Sequence, residues 1–211
     1  MQLKTIPYLT YEGSLPQKGN FIVGQEIGQS IYVYQAFNPS IANYAVANQK
    51  FGGNAYSFNR MTWIKPNFLW MMYRAGWATK VNQERILAIK IKKSGFLELL
   101  DKGVYSSFQA AVYGTHNVWK TALATSEVRI QWDPDHDPLG EKLERRAVQI
   151  GFKGATLHQF NDNFLEEITD ITDFVTAQKV FLDTDRTQLL VMQEAVVTIP
   201  ADLKKKYNIL A

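Results

Sequence analysis

The run RMTWIKPNFLWMMYRAGWATK, from Arg60 to Lys80, holds three of the chain's five tryptophans. After Pro66 it places Trp70, Tyr73, Arg74 and Trp77 at i, i+3, i+4 and i+7, with Phe68, Met71 and Met72 on the other side. Pro66 at the start and Gly76 at the end bound a helix from Pro66 to about Ala75. A helix apolar almost all round is stable only when other elements enclose it, so the chain has to build its core around this segment. The same run carries Arg60, Lys65, Arg74 and Lys80, cations that a core does not need. It therefore divides into a structural helix and a short polar stretch before it, Arg60, Thr62, Trp63 and Lys65, where a site is expected.

The flanking sequence alternates between strands and short helices. SIYVYQAF, from Ser30, reads as a strand with Ile31, Val33 and Gln35 on one face and Tyr32, Tyr34 and Ala36 on the other. Pro39 opens a helix directly after it, closed by Gly52 and Gly53. ERILAIKIKK is a half-buried strand followed by a helix with Ser94 as cap and Gly103 as stop. EVRIQWD and AVQIGF read as strands, ATLHQFNDNFLEEI and ITDFVTAQKVFL as helical, EAVVTIP as a last strand, and PADLKKKYNI as a Pro200-initiated helix. Residues 1–29, dense in proline and glycine, suit an extended arm with at most a short strand near Phe21 to Val23. The fold class is α+β: residues 30–211 form one domain, a mixed and mostly antiparallel sheet with short packed helices.

Composition narrows the function classes. A formal net charge of +3 on 211 residues demands no polyanionic partner. Without cysteine there is no thiolate nucleophile and no Cys-ligated zinc. The first residues lack a signal core, and no apolar stretch approaches the roughly 20 residues of a membrane span, so a cytoplasmic protein with no membrane partner is expected. Asp133, Asp135 and Asp137 with Glu144 imitate a calcium loop, but Pro138 stands where its glycine must be; the stretch reads as a solvated acidic turn, and no metal is expected. His116, His136 and His158 lack metal-pair spacing, and GxSxG, GxxxxGK[ST] and GxGxxG are all absent.

Three polar positions on strand ends complete the candidates: Tyr34 and Gln35 near the end of the first strong strand, and Glu194 at the start of EAVVTIP. Aromatic faces with Arg and Lys beside them suit a ligand that is planar and anionic, a nucleotide or a nucleic-acid strand. The alternative is that the tryptophan-rich run is simply core or an interface.

The strings VYQAFNPSIA, RMTWIKPNFLWMMYRAGWATK, QERILAIKI, VRIQWDPD and VQIGF, in this order, closely resemble the signature of the family called domain of unknown function 4291, over most of the chain from about Ile31. The order of elements is also similar to the ADP-ribosyltransferase fold, with Tyr34 and Gln35 in its first slot, Thr62 in its second and Glu194 at its late-strand carboxylate. That similarity implies an NAD-dependent transferase acting on a nucleic acid or protein. Glu194, Thr62 and Tyr34 would be catalytic, and Gln35, Arg60, Trp63, Lys65 and Arg74 would hold NAD. The first slot departs from the pattern, having neither histidine nor arginine. The runner-up expectation is a non-catalytic module for a nucleotide or single-stranded nucleic acid, and the oligomeric state is left open.

Overall fold

A computed structural model describes residues 3–210. Its principal strands are β1 (Ser30–Phe37), β2 (Thr62–Ile64), β3 (Arg85–Lys92), β4 (Val128–His136), β5 (Lys142–Phe152) and β6 (Leu165–Asp170). In one sheet β1 pairs antiparallel with β3, β3 with β6, and the short strand Glu26–Ile27 closes the other edge. In the other, β5 pairs antiparallel with both β4 and β2, while Gly19–Asn20 and Val104–Tyr105 add parallel edges. The architecture is α+β with mixed, mostly antiparallel sheets.

The alternation in β1 determines how these layers stack. Ile31 and Val33 point into a core shared with Ile64 of β2, Leu87, Ile89 and Ile91 of β3, Ile130 of β4 and Ile150 of β5. Tyr32 and Tyr34 point the other way, into a second core that encloses the helix Phe68–Ala75. Because side chains alternate with a period of two, one strand serves both cores, and Gln35 falls on the Ile31 and Val33 face. There the first core gives out.

Four of the helices frame the site. Residues Tyr8–Gly13 form α1, and α2 (Pro39–Asn48) starts at Asn38, whose side chain accepts the Ile41 N–H at 3.0 Å. Helix α3 (Phe68–Ala75) has Asn67 as its cap, accepting the Trp70 N–H at 2.7 Å, and ends at Gly76 in the left-handed region (φ 58°). Helix α4 (Lys93–Lys102) covers the first core with Phe96, Leu99 and Leu100.

Several sequence expectations are corrected. The segment read as an extended arm packs instead: Tyr11 of α1, Leu15, Phe21, Ile22 and Val23 are buried in the two cores. Its glycines and prolines punctuate a compact path, because apolar burial outweighs weak local propensity. Helix α3 begins at Phe68, not at Pro66, and only Tyr73 and Arg74 on it are exposed. The end of ATLHQFNDNFLEEI is strand β6, since Ile168 is needed in the first core. Within the acidic stretch Asp135 and His136 are buried at the end of β4, so that part is no solvated turn.

A candidate anion-binding groove

The site arises where the two sheets part. Residues Thr62, Trp63 and Ile64 pair with Phe152, Gly151 and Ile150 of β5. One residue later the backbone changes sheets: Lys65 N–H donates to Tyr34 O at 3.2 Å, and Tyr34 N–H donates to Lys65 O at 2.7 Å. The segment thus bridges β5 and β1, and the Gln35 amide stitches the divergence by donating to Thr62 Oγ1 at 2.6 Å and to Trp63 O at 3.0 Å. Trp63 is seated by its register partner. A Cβ on Gly151 would stand 2.7 Å from the indole, so only glycine lets the ring lie across β5 there.

A cavity of about 480 Å³ opens at this divergence, lined by Gln35, Arg60, Lys65, Arg74, Gln131 and Gln149 among others, with no Asp or Glu in its wall. A second, of about 500 Å³, shares Phe37, Arg60, Met61, Thr62 and Asn82 with it and adds Tyr56 and Ile41. Together they make one groove with a cationic, amide-rich end and an aromatic end. Gln131 and Gln149 are cross-strand partners on β4 and β5, and each reaches Asp133, at 2.8 Å in both cases. Arg74 extends to Gln83 Oε1 at 3.1 Å.

Two atoms at the groove are unusual. Gln35 is 3% exposed, and its Oε1 is buried without a hydrogen-bond partner. Lys65 is 5% exposed; its Nζ lies 4.8 Å from the centroid of the Trp70 ring and forms no ion pair among the described residues. Burial, then the nearby Arg74 charge, brings Lys65 down to about 7 against a weaker pull upward from Asp133. A buried carbonyl oxygen without a donor and a largely enclosed lysine without a counter-ion are both costly unless a ligand or solvent meets them.

The sequence-derived candidates therefore separate. Gln35, Arg60, Thr62, Trp63, Lys65 and Arg74 all line the groove. Tyr34 and Glu194 do not. The chain turns at Pro66, and on the far side Glu194 is 4% exposed, with Oε1 accepting the Phe68 N–H at 2.9 Å and Oε2 accepting the Tyr11 hydroxyl at 3.0 Å. Burial pushes its carboxyl well above the usual range, against those two hydrogen bonds and helped by Asp135. The Tyr34 hydroxyl lies beside it, pushed up by burial and by Glu194. Glu194 closes the N-terminus of α3 rather than the wall of the groove.

Behind Glu194 lies a network that sequence reasoning missed. Arg145, fully buried, donates to Asp135 Oδ2 at 2.8 Å, to Pro16 O at 2.8 Å and to Glu12 at 3.2 and 3.3 Å. Burial works against its charge, but Glu12 and Asp135 overcome that and hold it above the ordinary arginine range. Gln131 and Gln149 were also missed, although polar residues inside the apolar strands VRIQWD and AVQIGF are a visible signal.

Among the described residues, no cluster of three or more His, Asp or Glu is placed to hold a metal ion, and no helix is long and apolar enough to cross a membrane. No curated protein matches the sequence. The family model described as domain of unknown function (DUF4291) matches residues 22–199, spanning β1 to β6 and every residue of the groove, and the chain belongs to that family.

Proposed function

We propose that the groove binds a nucleotide-type ligand, its phosphates over Arg60 and Arg74 and its base toward Phe37 and Tyr56. The observation that carries this reading is the shared wall: Arg60, Thr62 and Asn82 belong to both cavities, so a cationic compartment runs directly into an aromatic one. Guanidinium groups meet phosphate oxygens in paired, charge-assisted hydrogen bonds, and a base stacks on an aromatic face. The carboxamides of Gln35, Gln131 and Gln149 supply donors and acceptors for ribose hydroxyls.

A dinucleotide such as NAD is long enough in kind to use both ends, which keeps it as a ligand to test. Transfer of ADP-ribose through Glu194 is less supported, because that carboxyl is enclosed at the start of α3, across the turn from the groove. Recognition of the ligand is the activity the geometry favours.

Calorimetric titration with NAD, ADP-ribose and ATP tests this. We expect binding that weakens roughly tenfold or more in Arg60→Ala and in Arg74→Ala, the loss of one charge-assisted phosphate contact each. Absence of heat with all three at millimolar concentration would sink the reading. A single strand of nucleic acid occupying the groove would instead give affinity that falls steeply with salt in proportion to the phosphates engaged.

A further inference from the structure

The amine of Lys65 is surrounded unlike any other cation of the groove. Arg60 is exposed, and Arg74 makes a hydrogen bond with Gln83, so both guanidinium groups are set to hold anions. Lys65 instead sits against the Trp70 ring, takes no carboxylate, and reaches the groove with a side chain that is otherwise enclosed. Its place is rigid, because its own backbone is the bridge between the sheets and Pro66 follows at once. A lysine meant only to clamp phosphate gains from being charged and hydrated; this one is largely enclosed, with the Arg74 charge set against its own.

We propose that Lys65 is an amine nucleophile that forms an imine with the aldehyde carbon of a phosphorylated sugar, the ring-opened anomeric carbon of a ribose phosphate. The proposal rests on the reading that the groove holds a phosphorylated ligand, and it adds a covalent step to it. The neutral Nζ attacks the carbonyl carbon, forming the N–C bond while the C=O π pair moves to oxygen. A proton passes from nitrogen to that oxygen, and loss of water leaves the C=N bond. Nothing is oxidised or reduced, and amine plus aldehyde balance imine plus water.

An amine that attacks a phosphate has to approach a group already negative and expel an oxygen anion, whereas the carbonyl of an open-chain sugar is neutral and leaves only water. The groove wall has no carboxylate and no imidazole to assist either step. The remaining requirement is a neutral amine near neutral pH, the condition met by lysines that are desolvated or beside another cation. Burial and Arg74 provide both, with Asp133 on β4 the opposing charge and Arg60 the other cation on the wall. At pH 7 the neutral fraction of such an amine is about a thousandfold above that of an ordinary lysine.

The test treats the full chain with ribose 5-phosphate or, as a second phosphorylated aldehyde, pyridoxal 5′-phosphate, reduces with borohydride, and maps the adduct by peptide mass spectrometry. We expect a single adduct on Lys65, formed at least about tenfold faster than on any other lysine at pH 7, protected by ADP-ribose and absent from Lys65→Arg. Calorimetry on the same samples, with circular dichroism to show that Lys65→Arg and Lys65→Met are folded, separates the two claims. Binding of ADP-ribose without an adduct on Lys65 overturns the nucleophile and leaves the groove reading standing. Adducts scattered over surface lysines, with Lys65 unmodified, also overturn it. Loss of both binding and adduct overturns the nucleophile and the groove together.

Discussion

Two polar clusters flank the turn from Lys65 to Phe68, and they differ in how their charges are met. On one side Arg145 is fully buried, yet it is enclosed by Asp135, Glu12 and the Pro16 carbonyl. On the other, Lys65 is nearly as buried and has only an aromatic ring, while Gln35 leaves an acceptor unmet. The first arrangement satisfies its charges internally and so ties α1 to β4 and β5. The second leaves them for a ligand. Burial alone therefore does not mark a site; unmet polar groups that open on a cavity do.

The largest effect is expected where the satisfied cluster is broken. Arg145→Met removes the cation and leaves the buried Asp135 uncompensated beside the half-buried Glu12, which we expect to destabilise the fold by about 3–5 kcal/mol. Urea unfolding of the variant measures it. A change below about 1 kcal/mol would show that the network contributes no more than a surface pair and would erase the contrast.

The unsatisfied side should respond in the opposite direction. Lysine in the unfolded chain titrates near 10.5 and Lys65 in the fold at about 7, so between those values the unfolded state binds the additional proton. Stability from this group rises as pH rises from about 7 to about 10.5, and the full cost of the buried charge is present below 7. Lys65→Met removes that cost. We expect the variant to be more stable than the parent at pH 6 by about 2–4 kcal/mol, with most of the difference gone by pH 10. An advantage equal at both pH values, or a loss at pH 6, would mean that Lys65 is charged and partnered in the fold.

The sequence carried one half of this contrast better than the other. Alternation in SIYVYQAF showed which side chains of β1 share a face, and the cations before Pro66 showed where polarity interrupts an apolar run; these are local patterns. What brings Gln131, Gln149 and Trp63 to the same wall is the pairing of β5 with both β4 and β2, a register fixed by contacts distant in sequence. The Arg145 network was less legible still. It joins Glu12 to Asp135 and Arg145 through a helix that the local signals, Pro7 and Gly13, describe only as broken chain. Glu194 was visible as a strand-end carboxylate, but not the direction it takes, because the turn at Pro66 that separates it from the groove is a tertiary feature.

The smallest effect concerns that residue and gives the sharpest division between the clusters. Burial raises the Glu194 carboxyl, so the folded state holds a proton that the unfolded chain releases once pH exceeds the ordinary glutamate range near 4.5. Stability from this group is then greatest at low pH and declines as pH rises toward the folded value. Glutamine mimics the protonated acid: its carbonyl can accept the Phe68 N–H and its amide can face the Tyr11 oxygen. Glu194→Gln should accordingly shift stability by less than about 1 kcal/mol at pH 4 and flatten the decline above it. Because Glu194 lies across the turn, the variant should bind nucleotide in the groove within about twofold of the parent by calorimetry. A tenfold or greater loss of binding with stability unchanged would join the two clusters into one site and return Glu194 to the ligand.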